Sequence, residues 1–406
     1  MKRVVITGMG LCTPLGSDPN AVYEAMLRGE SGIERIPSFA TVADLAVAIG
    51  GPVRGFEAQR IPRKYRRSMA RMAQYAASAA ADALAQARLP EGHFAEGKVA
   101  ICAGSTTGSP DAMEEFFREY LSTGSIRGVS GTAFLRVMSH TVPAHLALVF
   151  GSTGPVHTAA CACAISNQAV GMGLDLLRLG RSQVALCGGA DELSVLGAAT
   201  FDLVGAASRG WGEDPTARPA PFDSSRDGVV VAEGASMLIL ETLAHAQERG
   251  ATILAEVLGY GESCDATHMS SPEPAGMRQA MERALVDAGC APSDIDYVNA
   301  HATGTTIGDA AEAQATFEVF GPDVPVSSFK GHFGHTLAAC GGIELAISIL
   351  GMRRGLMPPT KNLRTPDVAG IRLFTEPLAL SPRRFVSNNF AFGGINASVV
   401  IGQFGG

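Results

Sequence analysis

The chain has 406 residues, 46% of them hydrophobic and 17% charged, with a mean hydropathy of +0.17. That is enough apolar material for a large core, and it excludes a disordered chain. A net charge of −7 excludes nucleic-acid binding by the chain as a whole.

Short apolar runs alternate with helical patterns throughout, which predicts an α/β protein. RVVITG reads as a strand, residues 64–88 as an Ala-rich helix with a basic start, and VAICAGS (99–105) as a buried strand. Residues 132–150 have helical spacing interrupted at Pro143. GPVHTAACA (154–162) is a strand candidate, 164–179 a helix closed by Gly180, and QVALCGGADE (183–192) a strand. After about residue 250 the pattern starts again. TILAEVLGYG is a strand, 274–289 a helix, and DIDYVNAHATGT a strand running into a loop. Then come a helix over 309–320, the strand VPVSS, a helix over 338–354, and two extended runs joined by a turn in FVSNNFAFGGINASVVIG. The order of elements predicts an internally duplicated α/β body with halves 1–250 and 251–406. No Pro-, Gly- and Ser-rich linker separates them.

Met1-Lys2-Arg3 is followed by a short strand and a glycine turn, not by a secretory apolar region. There is no run of about 18 apolar residues, so no membrane span is expected. Eight scattered cysteines without a framework of spacings point to free thiols in a reducing cytosol.

Within TAACACAISNQ (158–168), Cys161 and Cys163 lie just ahead of a predicted helix. A helix N-terminus favours a thiolate at Cys163, and its N–H groups favour an oxyanion. Two inert buried cysteines remain an equal reading. C-x-C is not the usual zinc spacing, so no metal is expected. His301, in NAHATGT, and His335, in SSFKGHFGHTLAACGG, follow strand ends, where α/β proteins place their chemistry. His332 precedes His335 by three residues without a carboxylate cluster. His93, His140, His145, His157, His245 and His268 read as structural. In NNFAFGG, Gly393 and Gly394 would let the backbone approach a ligand, and the N–H after Ala391 would be a second oxyanion donor. A plain turn is the alternative.

ACACAIS, NAHATGT with GDAAEAQA, FKGHFGHTLAACGGIE and SNNFAFGGINAS, in that order, resemble the β-ketoacyl-acyl carrier protein synthases of the thiolase superfamily. The likeness is to the elongating synthases I and II and to type II polyketide ketosynthases, over nearly the whole chain. It implies a thiolase-like, five-layered α-β-α-β-α fold. It also implies decarboxylative condensation of an acyl-cysteine with malonyl-carrier protein, without metal or organic cofactor. The family's nucleophile precedes the helix-ending glycine by 17 residues, which maps it to Cys163 and not Cys161. The resemblance maps the two histidines to His301 and His335, and the supporting lysine and glutamate to Lys330 and Glu344. Asp309 and Glu312 fall on its acidic pair, and Phe392 on its gating phenylalanine, whose N–H joins that of Cys163 in the oxyanion hole. Thr303 and Thr305 are candidates for the pantetheine arm, and Thr107 for the depth of the acyl pocket. The family's partner is an acidic acyl carrier protein. Arg63, Lys64, Arg66 and Arg67 offer a basic docking edge, with Arg209 a weaker candidate. A dimer is expected, either of two copies or with a chain-length factor.

Ala302 and Ala391 replace family glycines, and Phe329 stands where the family has a smaller residue. These departures point toward a specialised product such as a polyene as much as to housekeeping fatty acids. A chain-length factor would lack the nucleophile. A thiolase acting on coenzyme A esters would carry a C-terminal cysteine, whereas the last cysteine here is Cys340.

Overall fold

Ten strands and six helices carry the architecture of the protein, a computed structural model describing residues 1–90, 92–210 and 212–405. The first half runs β1 (Val4–Cys12), α1 (Arg71–Ala87), β2 (Val99–Gly104), α2 (Thr141–Phe150), β3 (Val156–Thr158), α3 (Ile165–Arg178), β4 (Val184–Asp191) and β5 (Gly234–Thr242). The second runs β6 (Ala255–Cys264), α4 (Pro274–Ala288), β7 (Tyr297–Asn299), α5 (Thr306–Phe320), β8 (Pro325–Ser327), α6 (Cys340–Arg354), β9 (Arg384–Ala391) and β10 (Ile395–Gly402).

The two halves share one strand order, β1-β5-β4-β2-β3 and β6-β10-β9-β7-β8. In each, the first two pairings are antiparallel and the last two parallel. The half-sheets join where Val4–Ile6 pair antiparallel with Ala255–Val257. Arg372–Leu373 adds an edge strand beside β8.

Helices α3 and α6 lie between the half-sheets: α3 packs on β2 and β4 and also on β6 and β10, α6 on β5 and β9. Outside, α1 and α2 cover the first half-sheet and α4 covers the second, with α5 against α4. This is the five-layered thiolase-like arrangement. A central helix is enclosed all round, and α6 is buried at every residue from Cys340 to Met352. Such a layer leaves no space for side chains at its closest contacts. A Cβ at Gly173 would lie 2.4 Å from Cys187 Sγ, and one at Gly341 2.1 Å from Asn389 Oδ1.

Several elements differ from the sequence expectation. The helix over 64–88 is two pieces, Arg63–Arg66 and α1, because Ala70 is extended at ψ 169°. The break near Pro143 falls at Met138–His140 instead. Pro143 sits in the first turn of α2, where a missing N–H costs nothing. Only Val156–Thr158 of the 154–162 run is strand, so Cys161 lies beyond the ladder. Strand β5, not distinguished in the sequence, is buried along its whole length between β1 and β4. Among the described residues no helix is long and apolar enough to cross a membrane.

Candidate active site

Three chain segments meet at one point. The first is the turn between β3 and α3. Ala162 takes φ +50°, a left-handed conformation costing a non-glycine residue on the order of 1 kcal/mol, and a 3-10 turn over Ala162–Ala164 then feeds α3. Cys163 sits in that turn. The second is the loop after β7 carrying His301, whose N–H and that of Ala302 donate to the two oxygens of Glu312 at 2.8 and 2.6 Å. The third is the loop between β8 and α6. There His335 is fixed by main-chain bonds to Val230 O (2.8 Å) and from Ala232 N (2.9 Å).

His335 Nε2 lies 2.9 Å from Cys163 Sγ. The rings of His301 and His335 stand edge to face with centroids 5.2 Å apart. Sulfur and one nitrogen of each imidazole all lie within 4.8 Å of one another. A metal ion could be reached by such a trio, but the buried Lys330 ammonium disfavours a second cation there. Lys330 pairs with Glu344, both fully buried. Asn389 Nδ2, on β9, donates to Glu344 Oε2 at 2.9 Å and reaches His301 Nδ1 at 3.3 Å, so the far side of His301 is held and its Nε2 faces the cavity. Cys340 Sγ approaches the carbonyl of Cys163 at 3.4 Å.

Burial sets the protonation states. It pushes the Cys163 thiol up to about 12, with Lys330's charge opposing. The expected helix-terminus activation therefore does not outweigh desolvation in the resting enzyme. Burial, then Lys330's charge, drives both His301 and His335 well below the ordinary histidine range, so both are neutral at pH 7. Lys330 is itself held charged: Glu344 overrides the burial that opposes it. Burial lifts Asp309 to about 6 and Glu312 to about 8 against the backbone N–H groups they accept, including Gly304 N at 3.1 Å for Asp309.

A cavity of about 370 Å³ opens onto Cys163, His301 and His335. Ala302, Thr303, Thr305, Ala391, Phe392 and Gly394 line it. The turn after β9 is tied down by Gly393 N to Met269 O, 2.7 Å. The Phe392 ring packs tilted against Phe201, centroids 5.3 Å apart. Neither the Cys163 nor the Phe392 N–H donates to another residue among those described.

Some sequence candidates fall elsewhere. Thr107 is exposed and does not line the cavity, because Ser105 and Thr106 turn inward to Asp191 and the next side chain points out. Phe329 and its neighbour Phe333 are wholly buried in the central core, so neither alters the pocket wall. Gly394 lines the cavity and Gly393 does not. Arg63, Lys64 and Arg67 are exposed without a carboxylate partner among the described residues, and Arg66 is half-buried; none lines the cavity. Arg209 is held by Asp202 at 2.7 Å. Sequence reasoning missed Asn389 and Phe201. A pair of asparagines inside an apolar strand was the available signal for the first.

Residues 1–246 match the beta-ketoacyl synthase N-terminal domain and residues 254–364 its C-terminal domain. The chain belongs to the beta-ketoacyl synthase family, a family of acyltransferases. It is 36% identical to the chloroplastic 3-oxoacyl-[acyl-carrier-protein] synthase II of Arabidopsis thaliana over 99% of this chain and 76% of that one. A beta-ketoacyl synthase crystal structure from Burkholderia phymatum superposes with a TM-score of 0.96 at 39% identity over all of both chains. The ketosynthase of a type II polyketide synthase, solved in complex with its acyl-carrier protein and bound to a hexaketide, superposes at 0.91 with 26% identity, over 99% of this chain and 100% of that one.

Proposed function

We propose that this protein is a 3-oxoacyl-[acyl-carrier-protein] synthase that elongates acyl chains by decarboxylative Claisen condensation. The observation that carries this reading is Cys163 Sγ at 2.9 Å from a neutral His335, with His301 facing the same cavity. In the first stage the sulfur attacks the thioester carbonyl of an acyl-carrier protein. The thiol proton passes to the expelled pantetheine thiolate, so that His335 keeps its Nε2–H for the next stage. The free N–H groups of Cys163 and Phe392 receive the oxyanion. In the second stage malonyl-carrier protein enters. Its carbon–carboxylate bond breaks, releasing CO₂, and the electron pair passes into an enolate whose oxygen accepts from Nε2–H of His301 and His335. The enolate carbon attacks the acyl-cysteine carbonyl, and the Cys163 thiolate leaves and is reprotonated. Loss of CO₂ supplies the driving force, so the balance requires no metal or organic cofactor.

Neutral imidazoles suit this role because each must donate a hydrogen bond to a carbonyl. Lys330, Glu344 and Asn389 act behind His301 and His335, and Asp309 and Glu312 hold the loop that follows β7. Cys163, His301 and His335 together argue against a non-catalytic chain-length factor.

The product class is fatty acid or type II polyketide. Ala302 and Ala391, both on the cavity wall, narrow it by a methyl each relative to glycine and favour a specialised chain. Carrier protein docks by its acidic surface, with Arg63, Lys64 and Arg67 as the exposed cations. The molecule works as a dimer, with a second copy or with a chain-length factor. Support comes from the edge strand β3 and the exposed Phe117, Leu121, Phe134 and Leu135. The free state of all eight cysteines fits a reducing cytosol.

Intact-mass measurement after incubation with acyl-carrier protein tests the reading. An acyl adduct on Cys163 that is discharged to a two-carbon-longer 3-oxo product by malonyl-carrier protein is expected. Absence of the adduct sinks it.

A further inference from the structure

The loop after β7 and the first residue of α5 present Thr303, Thr305 and Thr306 to the cavity. A buried cation, Arg226, grips the carbonyls at the junction. Arg226 is 7% exposed. Its Nε donates to Thr305 O at 3.2 Å and its Nη2 to Thr306 O at 3.1 Å. Its Nη1 donates to Asp223 O at 2.9 Å and to the carboxylate of Asp367. Asp309, 3.8 Å from Arg226 Nε, accepts from Gly304 N. The same loop is stitched to the irregular segment before β5 by Gly228 N to Gly304 O, 2.8 Å. One planar guanidinium thus reads two consecutive carbonyls and anchors them to two outer acceptors. An ammonium cannot reproduce that fork.

Resting on the proposed carrier-bound substrate, we infer that Arg226 is the positioning residue of the Thr303–Thr306 wall, and that it sets the affinity for the pantetheine-linked chain without touching the reacting atoms. Cys163, His301 and His335 are held by other bonds: the Ala162 turn, Glu312 and Asn389, and the Val230–Ala232 segment. Loosening Arg226 therefore separates binding from reactivity.

The test compares Arg226→Lys with wild type in two assays. One is acylation by an acyl-carrier protein. The other is alkylation of Cys163 by iodoacetamide, which needs no arm-binding wall. The expected result is a KM for acyl-carrier protein raised about tenfold, kcat within about threefold, and an alkylation rate within about twofold. Asp367→Ala removes only the outer anchor, whose side chain is 40% exposed, and should raise the same KM about threefold in a folded protein. An unchanged KM in both variants overturns the inference, as does an alkylation rate that falls by the same factor as acylation. A wild-type enzyme that forms no acyl adduct overturns the proposed function and this inference with it.

Discussion

The two halves of the molecule build the same turn twice and use it differently. Before α3, Ala162 has φ +50°. Before α6, Leu337 has φ +51°. Each strained residue opens a 3-10 turn that runs directly into a central helix. The next residue is Cys163 in one half and Ala338 in the other. The Cys163 N–H is free to face the cavity, whereas the Ala338 N–H donates to Asp191 Oδ2 at 2.8 Å. Asp191 also accepts from Ser105 and Thr106. The second turn is thus a nucleophile site filled by the protein's own carboxylate. What it retains is its approach loop, which carries His335 to the sulfur of the first turn. Duplication supplied two equivalent helix starts, and catalysis needed one nucleophile and a hydrogen-bond donor beside it.

The difference between the turns can be broken most severely at Cys163. Cys163→Ala should lower condensation at least 10³-fold and abolish the acyl adduct by intact mass, while Cys161→Ala retains most activity. Adding Ala338→Cys to Cys163→Ala should restore nothing, because that turn's N–H is already occupied; a restored adduct would overturn the comparison. His335→Ala should cut CO₂ release from malonyl-carrier protein about 10²- to 10⁴-fold while Cys163 still acquires an acyl group. Normal decarboxylation in that variant removes His335 from the role given it.

Asp191→Asn tests the filled turn itself. An amide in place of a buried carboxylate with four donors should cost about 2–4 kcal/mol in denaturant unfolding. Thr106→Ser, which keeps the hydroxyl donor to Asp191, gives the matching control and should cost less than about 1 kcal/mol.

Acid should act against the fold through His332. His332 is fully buried between Glu30 O and Pro359 O, and burial holds it down to about 4 against an ordinary 6.5. The unfolded imidazole takes a proton that the folded one refuses. Stability is therefore complete above pH 6.5 and declines as pH falls toward 4, by about 2 kcal/mol at pH 5. His301 and His335 shift in the same direction. The raised carboxyls of Asp309 and Glu312 act in the opposite sense, so the check is the difference in unfolding midpoint between wild type and His332→Gln, which should shift by this amount from pH 7 to 5. The smallest effect belongs to the basic segment of the first half. Changing Arg63, Lys64 and Arg67 together to Glu should slow carrier-protein association several-fold, and salt should diminish the difference.

Much of the site was legible because its signals are local. A cysteine just ahead of a helix, histidines at strand ends and glycines in a turn are each visible within a dozen residues. The strands and long helices follow from hydrophobic period, and the repeated order of elements revealed the duplication. What escaped depends on distant neighbours. Strand β5 is apolar on both faces only because β1 and β4 flank it. Asn389 matters because α6 delivers Glu344 beside it, 45 residues away in the chain. Thr107 faces outward because Asp191 claims the two preceding side chains.

By itself, then, the sequence determined which residues are chemically able to act and on which elements they lie, since amphipathic period and turn chemistry are short-range properties. The resemblance to the β-ketoacyl synthases mapped the nucleophile to Cys163 rather than Cys161. Only the tertiary structure decided that Cys163 and His335, 172 residues apart, lie within hydrogen-bond distance. It alone decided that burial keeps the thiol and both imidazoles neutral, because desolvation depends on what the whole chain packs around a group.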